Sequence, residues 1–314
     1  MTEIRVLDCT LRDGGYYNDW DFQPDLVENY LNAISQAGVH TVELGLRLPK
    51  QEKPLGPFAY CTDEYLKQLP VPKNLEIAVM VNAADLVSGP GTSADAADKM
   101  FQPAKKSPVS LVRIASHVRE FSACRKGVLR LKELGYRVGF NIMQVAIHAP
   151  AVLEDAAREI SGWGAVDVLY FADSLGNMDA RNVSDTFSAF RKGWPGDIGI
   201  HAHNNMGQAL INSMAAIDAG AAWIDGTILG MGRGAGNVCT EYLLVELARN
   251  GHDRYSPEAL FDLVMKDFSA LKSNHEWGPN LLYYLSAVYG IHPTYVQVMI
   301  ADGRYDSQEI VSAL

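Results

Sequence analysis

A closed (β/α)8 TIM barrel followed by a C-terminal helical extension is the α/β fold this sequence predicts, on three observations. Between residue 4 and about residue 250, eight short apolar, β-branched runs alternate with eight longer amphipathic stretches. Parallel strands joined by right-handed helical crossovers close naturally into a barrel at roughly 250 residues. No glycine-rich nucleotide fingerprint follows the first run, which counts against an open, doubly wound sheet.

In chain order, strands are expected at 4–9, 41–44, 76–81, 110–114, 137–143, 166–171, 198–203 and 223–228. The helices between them are expected at 24–37, 64–69, 93–100, 118–134, 149–161, 179–192, 207–219 and 237–248. Pro24 suits a first helical turn, and Gly135 and Gly220 suit helix ends. Beyond residue 250 the pattern turns helical throughout, at 257–271, 280–289 and 294–300, punctuated by Gly278-Pro279 and His292-Pro293. The expected division is a catalytic barrel over 1–250 and a helical extension over 251–314.

Composition narrows the function. A formal charge of -10 argues against a nucleic-acid binder held by phosphate contacts, but leaves room for a small anionic substrate beside a local arginine. Cys9, Cys61, Cys124 and Cys239 are scattered, matching neither a zinc pattern nor a secreted disulfide framework. The N-terminus lacks the apolar core of a signal peptide, and no apolar run is long enough to span a bilayer. A cytoplasmic protein with no membrane partner is expected.

Function in such a barrel gathers where the strands end. His201 and His203 close the seventh strand, two residues apart and so on one face. Two imidazoles at that spacing can share a metal; the same spacing also suits two hydrogen-bonded histidines. Asp13, after the first strand, would add an oxygen ligand and leave a divalent ion open positions, although Asp before Gly14-Gly15 is also a common turn residue. Arg12 is a candidate for binding a substrate carboxylate or an enolate oxygen, or for a structural ion pair, and Glu43 would orient it in either case. Arg113, Asn141 and Ser174 end further strands. The loop 230–237 alternates glycines in a way that fits no dinucleotide motif and suits a tight backbone path beside a ligand. Its Asn237 is a further metal ligand or the N-cap of the next helix.

These residues, Leu11-Arg12-Asp13-Gly14, Glu43, His201-Ala202-His203-Asn204 and the loop 230–237, resemble the DRE-TIM metallolyase (HMGL-like) superfamily. Val112–His117 and Asp173–Gly176, with the loop 230–237, resemble its 4-hydroxy-2-oxovalerate aldolase branch. The condensing synthases usually carry Glu-Gln after R-D-G where this chain has Gly15-Tyr16, and the CoA lyases carry a cysteine in the glycine loop. The resemblance implies metal ligation by Asp13, His201, His203 and Asn237, and enolate stabilisation by Arg12 held by Glu43. It implies substrate contacts from Ser174, Arg113 and Asn141, and a proton-transfer role for Tyr16, standing where the aldolases have histidine, with Tyr283 from the extension. The implied reaction is cleavage or formation of a carbon–carbon bond in a 4-hydroxy-2-oxo acid, giving pyruvate and an aldehyde through a metal-stabilised enolate. Mn²⁺ or Mg²⁺ suits the mixed ligands best, with Co²⁺ also acceptable. The implied partner is an acylating aldehyde dehydrogenase, and a homo-oligomer is compatible with this reading. The rival readings are a Claisen-type synthase condensing acyl-CoA with a 2-oxo acid, and a catalytically altered barrel acting as a binding partner.

Overall fold

A computed structural model describes residues 3–49 and 51–314. Eight parallel strands pair in sequence order: β1 (Arg5–Asp8), β2 (Thr41–Leu46), β3 (Glu76–Asn82), β4 (Leu111–Ser116), β5 (Arg137–Ile142), β6 (Val168–Asp173), β7 (Asp197–Ala202) and β8 (Trp223–Gly226). β8 pairs back onto β1 and closes the TIM barrel, with Val6 beside Ile224 and Leu7 beside Asp225.

Alternation along each strand separates two cores. Outward residues such as Ile198, Ile200 and Ala202 join the large core under the helices. Inward residues Leu7, Cys9, Ala78, Leu111, Val168, Tyr170, Ala222 and Trp223 form a separate buried cluster filling the barrel. Tyr170 spans the interior because Gly199 leaves it room: a Cβ at Gly199 would lie 2.3 Å from the ring. Arg113 stacks over the same ring at 4.2 Å. This filled interior is the floor of a polar layer above it.

All eight expected strands are present, and helix boundaries differ where loop chemistry intervenes. The helix expected at 118–134 begins only at Arg125, after a 3-10 turn at Phe121–Cys124. Glu120 causes the delay by accepting a hydrogen bond from the His117 N–H at 3.1 Å, which holds a turn. Two short helical turns, Thr10–Asp13 and Gly15–Asn18, follow β1 before the helix that starts at Pro24. The stretch 257–271 is not one regular helix: a 3-10 turn at Pro257–Leu260 leads through a π-helical segment, Leu263–Phe268, into Ser269–His275. Helices Leu281–Val288, Pro293–Asp302 and Ser307–Ala313 complete the extension. Ala235 of the glycine loop packs with Tyr283, Val296 and Ile310, so the extension sits against the barrel mouth. Among the described residues no helix is long and apolar enough to cross a membrane.

Candidate active site

The polar layer is a closed ring of charged side chains. Asp13 Oδ1 accepts from Arg12 Nη1 at 2.7 Å, and Arg12 Nε donates to Glu43 Oε1 at 2.6 Å. Glu43 Oε2 accepts from Arg113 Nη1 at 3.1 Å, and Arg113 Nη2 donates to Asp225 Oδ2 at 2.5 Å. Asp225 Oδ2 lies 2.9 Å from His201 Nδ1, and His201 Nε2 lies 3.8 Å from Asp13 Oδ2. Every member is buried. Low-dielectric surroundings strengthen these pairings and make each member costly to remove.

Asp13, His201 and His203 converge, their ligand atoms lying within 4.8 Å of one another. The histidine rings are 5.0 Å apart and nearly perpendicular. Burial alone would push the Asp13 carboxyl up, but the adjacent Arg12 guanidinium holds it well below the usual carboxylate range. Burial, reinforced by His201, pushes His203 well below the ordinary imidazole range, so it is neutral. An ionised carboxylate and a neutral imidazole are the forms a divalent ion binds. Asp225 engages Nδ1 of His201 and so turns Nε2 toward Asp13.

Asn237 stands beside this trio. The helix after β8 starts at Thr240 with Cys239 before it, so Asn237 is not an N-cap. Its backbone bridges that of His203, and its Nδ2 donates to Asp13 Oδ2 at 2.5 Å. Its Oδ1 and the Nδ1 of His203 are buried without hydrogen-bond partners, a cost that an added ligand removes. A Cβ at Gly232 would lie 2.2 Å from Asn237 Nδ2 and 2.7 Å from Asp13 Oδ2, so glycine is what allows the loop to close on this cradle. These donors fit a divalent metal with mixed nitrogen and oxygen ligands.

The structure distributes the other expected site residues differently. Arg113 is fully buried between Glu43, Asp225 and the Tyr170 ring. It braces the ring of charges through both Nη atoms, and its Nε is buried without a hydrogen-bond partner. Asn141 lies inside the barrel on β5 with Oδ1 unpartnered. Ser174 Oγ accepts from the Gln144 N–H at 3.0 Å, tying the loops after β5 and β6 together.

The two tyrosines after Gly15 part company. Tyr16 packs edge-on against Trp20, which the left-handed backbone at Asp19 and Trp20 folds back onto it, with ring centroids 4.6 Å apart. The Trp20 indole donates to the Arg12 carbonyl at 2.8 Å, so this aromatic pair secures the turn carrying Arg12 and Asp13. Among the described residues the Tyr16 hydroxyl makes no hydrogen bond to a site group. Tyr17 instead turns inward. Its hydroxyl donates to the Gly234 carbonyl at 2.9 Å. Burial, the neighbouring Tyr283 hydroxyl and the Asp13 charge all push it above the ordinary phenol range. Tyr283 is buried beside it and is also pushed up by burial.

Asp225, Glu241 and Trp277 were not anticipated. Asp225 could have been found from its place two residues after Trp223, on the inward side of β8. Leu229, in the left-handed region at φ 50, is held by Glu241, which accepts from its N–H at 3.2 Å, and by Trp277, which donates to its carbonyl at 3.0 Å. These contacts aim the glycine loop at Asp13; no local sequence pattern announces them.

Comparison with known proteins agrees with this geometry. The HMGL-like family profile matches residues 95–266. A 4-hydroxy-2-oxovalerate aldolase of Carboxydothermus hydrogenoformans is 34% identical over 255 residues, covering 80% of this chain and 72% of its own length. One from Pelotomaculum thermopropionicum is 35% identical over 257 residues, with coverage of 80% and 72%. The N-terminal domain of a candidate aldolase from Bacteroides vulgatus superposes with a TM-score of 0.82 at 30% identity, covering 99% of this chain and 100% of that one. Hydroxymethylglutaryl-CoA lyase from Pseudomonas aeruginosa shares the fold, with a TM-score of 0.70 at 20% identity over 86% of this chain and 93% of its own. With a profile matched across more than half its length, and relatives matched across most of theirs, the chain belongs to the HMGL-like family.

Proposed function

We propose that this protein is a divalent-metal-dependent aldolase that cleaves a 4-hydroxy-2-oxo acid to pyruvate and an aldehyde, or joins them in reverse. The observation that carries this reading is the convergence of Asp13, His201 and His203 beside Arg12 at the C-terminal mouth of the barrel. The aldolase relatives favour it over a condensing synthase, and the intact donor set counts against a catalytically altered binding barrel.

A divalent ion held by Asp13, His201 and His203, with Asn237 beside them, supplies Lewis acidity to the 2-oxo group. Mn²⁺ or Mg²⁺, with Co²⁺ acceptable, suits this mixed set. In cleavage the 4-hydroxyl loses its proton, C4–O becomes a carbonyl, and C3–C4 breaks. The electron pair stays on the pyruvate half as an enolate, which a proton at C3 converts to pyruvate. Arg12 is fixed by Glu43 and Asp13 through Nε and Nη1, while Nη2 makes no hydrogen bond among the described residues. A permanently charged donor held in this way stabilises the enolate oxygen without reorganising. Tyr17, with Tyr283 beside it, replaces Tyr16 as the proposed proton-transfer group. Burial keeps both phenols protonated and suits them to donate to the C4 oxygen in the condensation direction. That donation leaves a phenolate, and cleavage is the same step run backwards: it starts from the phenolate, the minor form that burial disfavours, which takes the 4-hydroxyl proton and becomes the phenol again. Asn141, whose Oδ1 is free, and Ser174 remain proposed substrate contacts.

Residues 251–314, treated as a unit, expose Leu281, Val288, Tyr289, Tyr295 and Val298. That apolar surface supports a docking role, for which an acylating aldehyde dehydrogenase is the proposed partner. Four free cysteines, three of them buried, support the proposed cytoplasmic location.

The test is pyruvate release by an Arg12→Lys variant, which keeps the charge but loses the rigid fork. A rate about a hundredfold lower supports the reading, and an unchanged rate contradicts it.

A further inference from the structure

Arg233 is charged but unpaired. The buried arginines Arg12, Arg47 and Arg113 each meet a carboxylate at 2.5 to 3.1 Å. Arg233 forms no ion pair among the described residues, and its Nε is buried without a hydrogen-bond partner. Its guanidinium lies over the Tyr16 ring at 4.4 Å. A half-buried cation in a chain of formal charge -10 usually finds an acid.

The position of Arg233 is set by its neighbours. Gly232, before it, abuts Asp13 and Asn237. Gly234, after it, accepts from the Tyr17 hydroxyl at 2.9 Å and donates its N–H to Gln297 at 3.3 Å. Arg233 therefore rises from the seam between the glycine loop and the extension, one residue from the wall of the metal cradle. Its charge is felt at Asp13, at His203 and at His292. The surroundings offer it little neutralisation. Asp13 is already paired with Arg12, His292 and His117 add basic groups, and Glu120 is engaged with the His117 N–H.

We propose that Arg233 is a specificity residue that binds an anionic group on the aldehyde half of the substrate, so that the aldehyde released carries a carboxylate or a phosphate. The inference rests on the aldolase reading above. The metal cradle and Arg12 take the 2-oxo acid end, which leaves Arg233 for the far end of the molecule. A short alkyl aldehyde gives this guanidinium no partner, whereas an anionic oxygen pairs with its fork and satisfies Nε.

The test has two measurements on the Mn²⁺-loaded protein. The first is pyruvate consumption with propanal, succinic semialdehyde and glycolaldehyde phosphate, which separates an uncharged, a carboxylated and a phosphorylated aldehyde. The second is calorimetric binding of 2-oxopentanoate and 2-oxoadipate, which lack the 4-hydroxyl and differ by one terminal carboxylate. We expect a charged aldehyde to exceed propanal in kcat/KM, and 2-oxoadipate to bind more tightly than 2-oxopentanoate, each by about tenfold or more. In Arg233→Gln both ratios should fall toward one, while Arg233→Lys keeps part of the preference. Equal handling of charged and uncharged compounds by the wild type overturns this proposal alone. So does an equal loss on both in Arg233→Gln, which would assign the residue to the pyruvate half. Absence of pyruvate consumption with every aldehyde overturns the aldolase reading and this proposal with it.

Discussion

Asp225 fixes which nitrogen His201 turns toward Asp13. Its Oδ2 stands 2.9 Å from His201 Nδ1 and 2.5 Å from Arg113 Nη2. Burial opposes ionisation of Asp225, but Arg113 and His201 together hold its carboxyl below the ordinary range. The aspartate is therefore charged and can hold the tautomer that leaves Nε2 free.

Asp225→Asn should weaken Mn²⁺ binding by about 10- to 100-fold, the usual effect of removing a carboxylate behind a metal-binding histidine. Isothermal calorimetry on the metal-free protein checks this. Unchanged affinity would mean that His201 is oriented by packing alone.

Gly232→Ala places a methyl group 2.2 Å from Asn237 Nδ2 and 2.7 Å from Asp13 Oδ2. Both neighbours are buried and bonded, so the loop must shift away from the cradle. Metal affinity should fall by about tenfold or more, which equilibrium dialysis against Mn²⁺ measures. Full affinity would show that the loop does not shape the site.

The two tyrosines should separate in a phenylalanine series. Tyr17→Phe removes the hydroxyl bonded to the Gly234 carbonyl and beside Tyr283. It should lower kcat by about a hundredfold, as expected for a lost proton-transfer group. Tyr16→Phe keeps the ring against Trp20 and under Arg233, so a much smaller change is expected. The reverse order would restore Tyr16 to the proton-transfer role.

Glu241 introduces a pH dependence of stability. Burial pushes its carboxyl from an ordinary value of 4.5 up to about 7. Between those values the folded protein holds a proton that the unfolded chain has lost, so stability falls as pH rises through that window. Glu241→Gln should therefore gain on the wild type between about pH 5 and about pH 8, reaching about 3 kcal/mol. Thermal unfolding of both proteins across that range reads the difference. A difference that does not change with pH would refute the assignment.

The barrel could be read from the sequence because alternation within strands and amphipathic spacing within helices are local signals. The same locality exposed His201 and His203, since residues two apart on one strand must share a face. Asp13 and Arg12 were legible as polar residues following β1. Arg113 shows the limit of that locality: a strand-end arginine looks like an anion site, and only the fold reveals that Glu43 and Asp225, 70 and 112 residues away in sequence, take both of its Nη atoms. The exchange of Tyr16 for Tyr17 has a similar origin. The helical turn Gly15–Asn18 and the packing of Trp20 decide which ring faces inward. Glu241 and Trp277 act on the backbone of Leu229 through tertiary contacts, which sequence spacing does not encode.

Metal stoichiometry measured together with pyruvate release, before and after chelation, bears most directly on the role of Asp13, His201 and His203. One divalent ion should bind each chain. Pyruvate release from a 4-hydroxy-2-oxo acid should cease on its removal and return with Mn²⁺, and His203→Ala should lose both ion and activity. Metal-free protein that releases pyruvate at the full rate would contradict it.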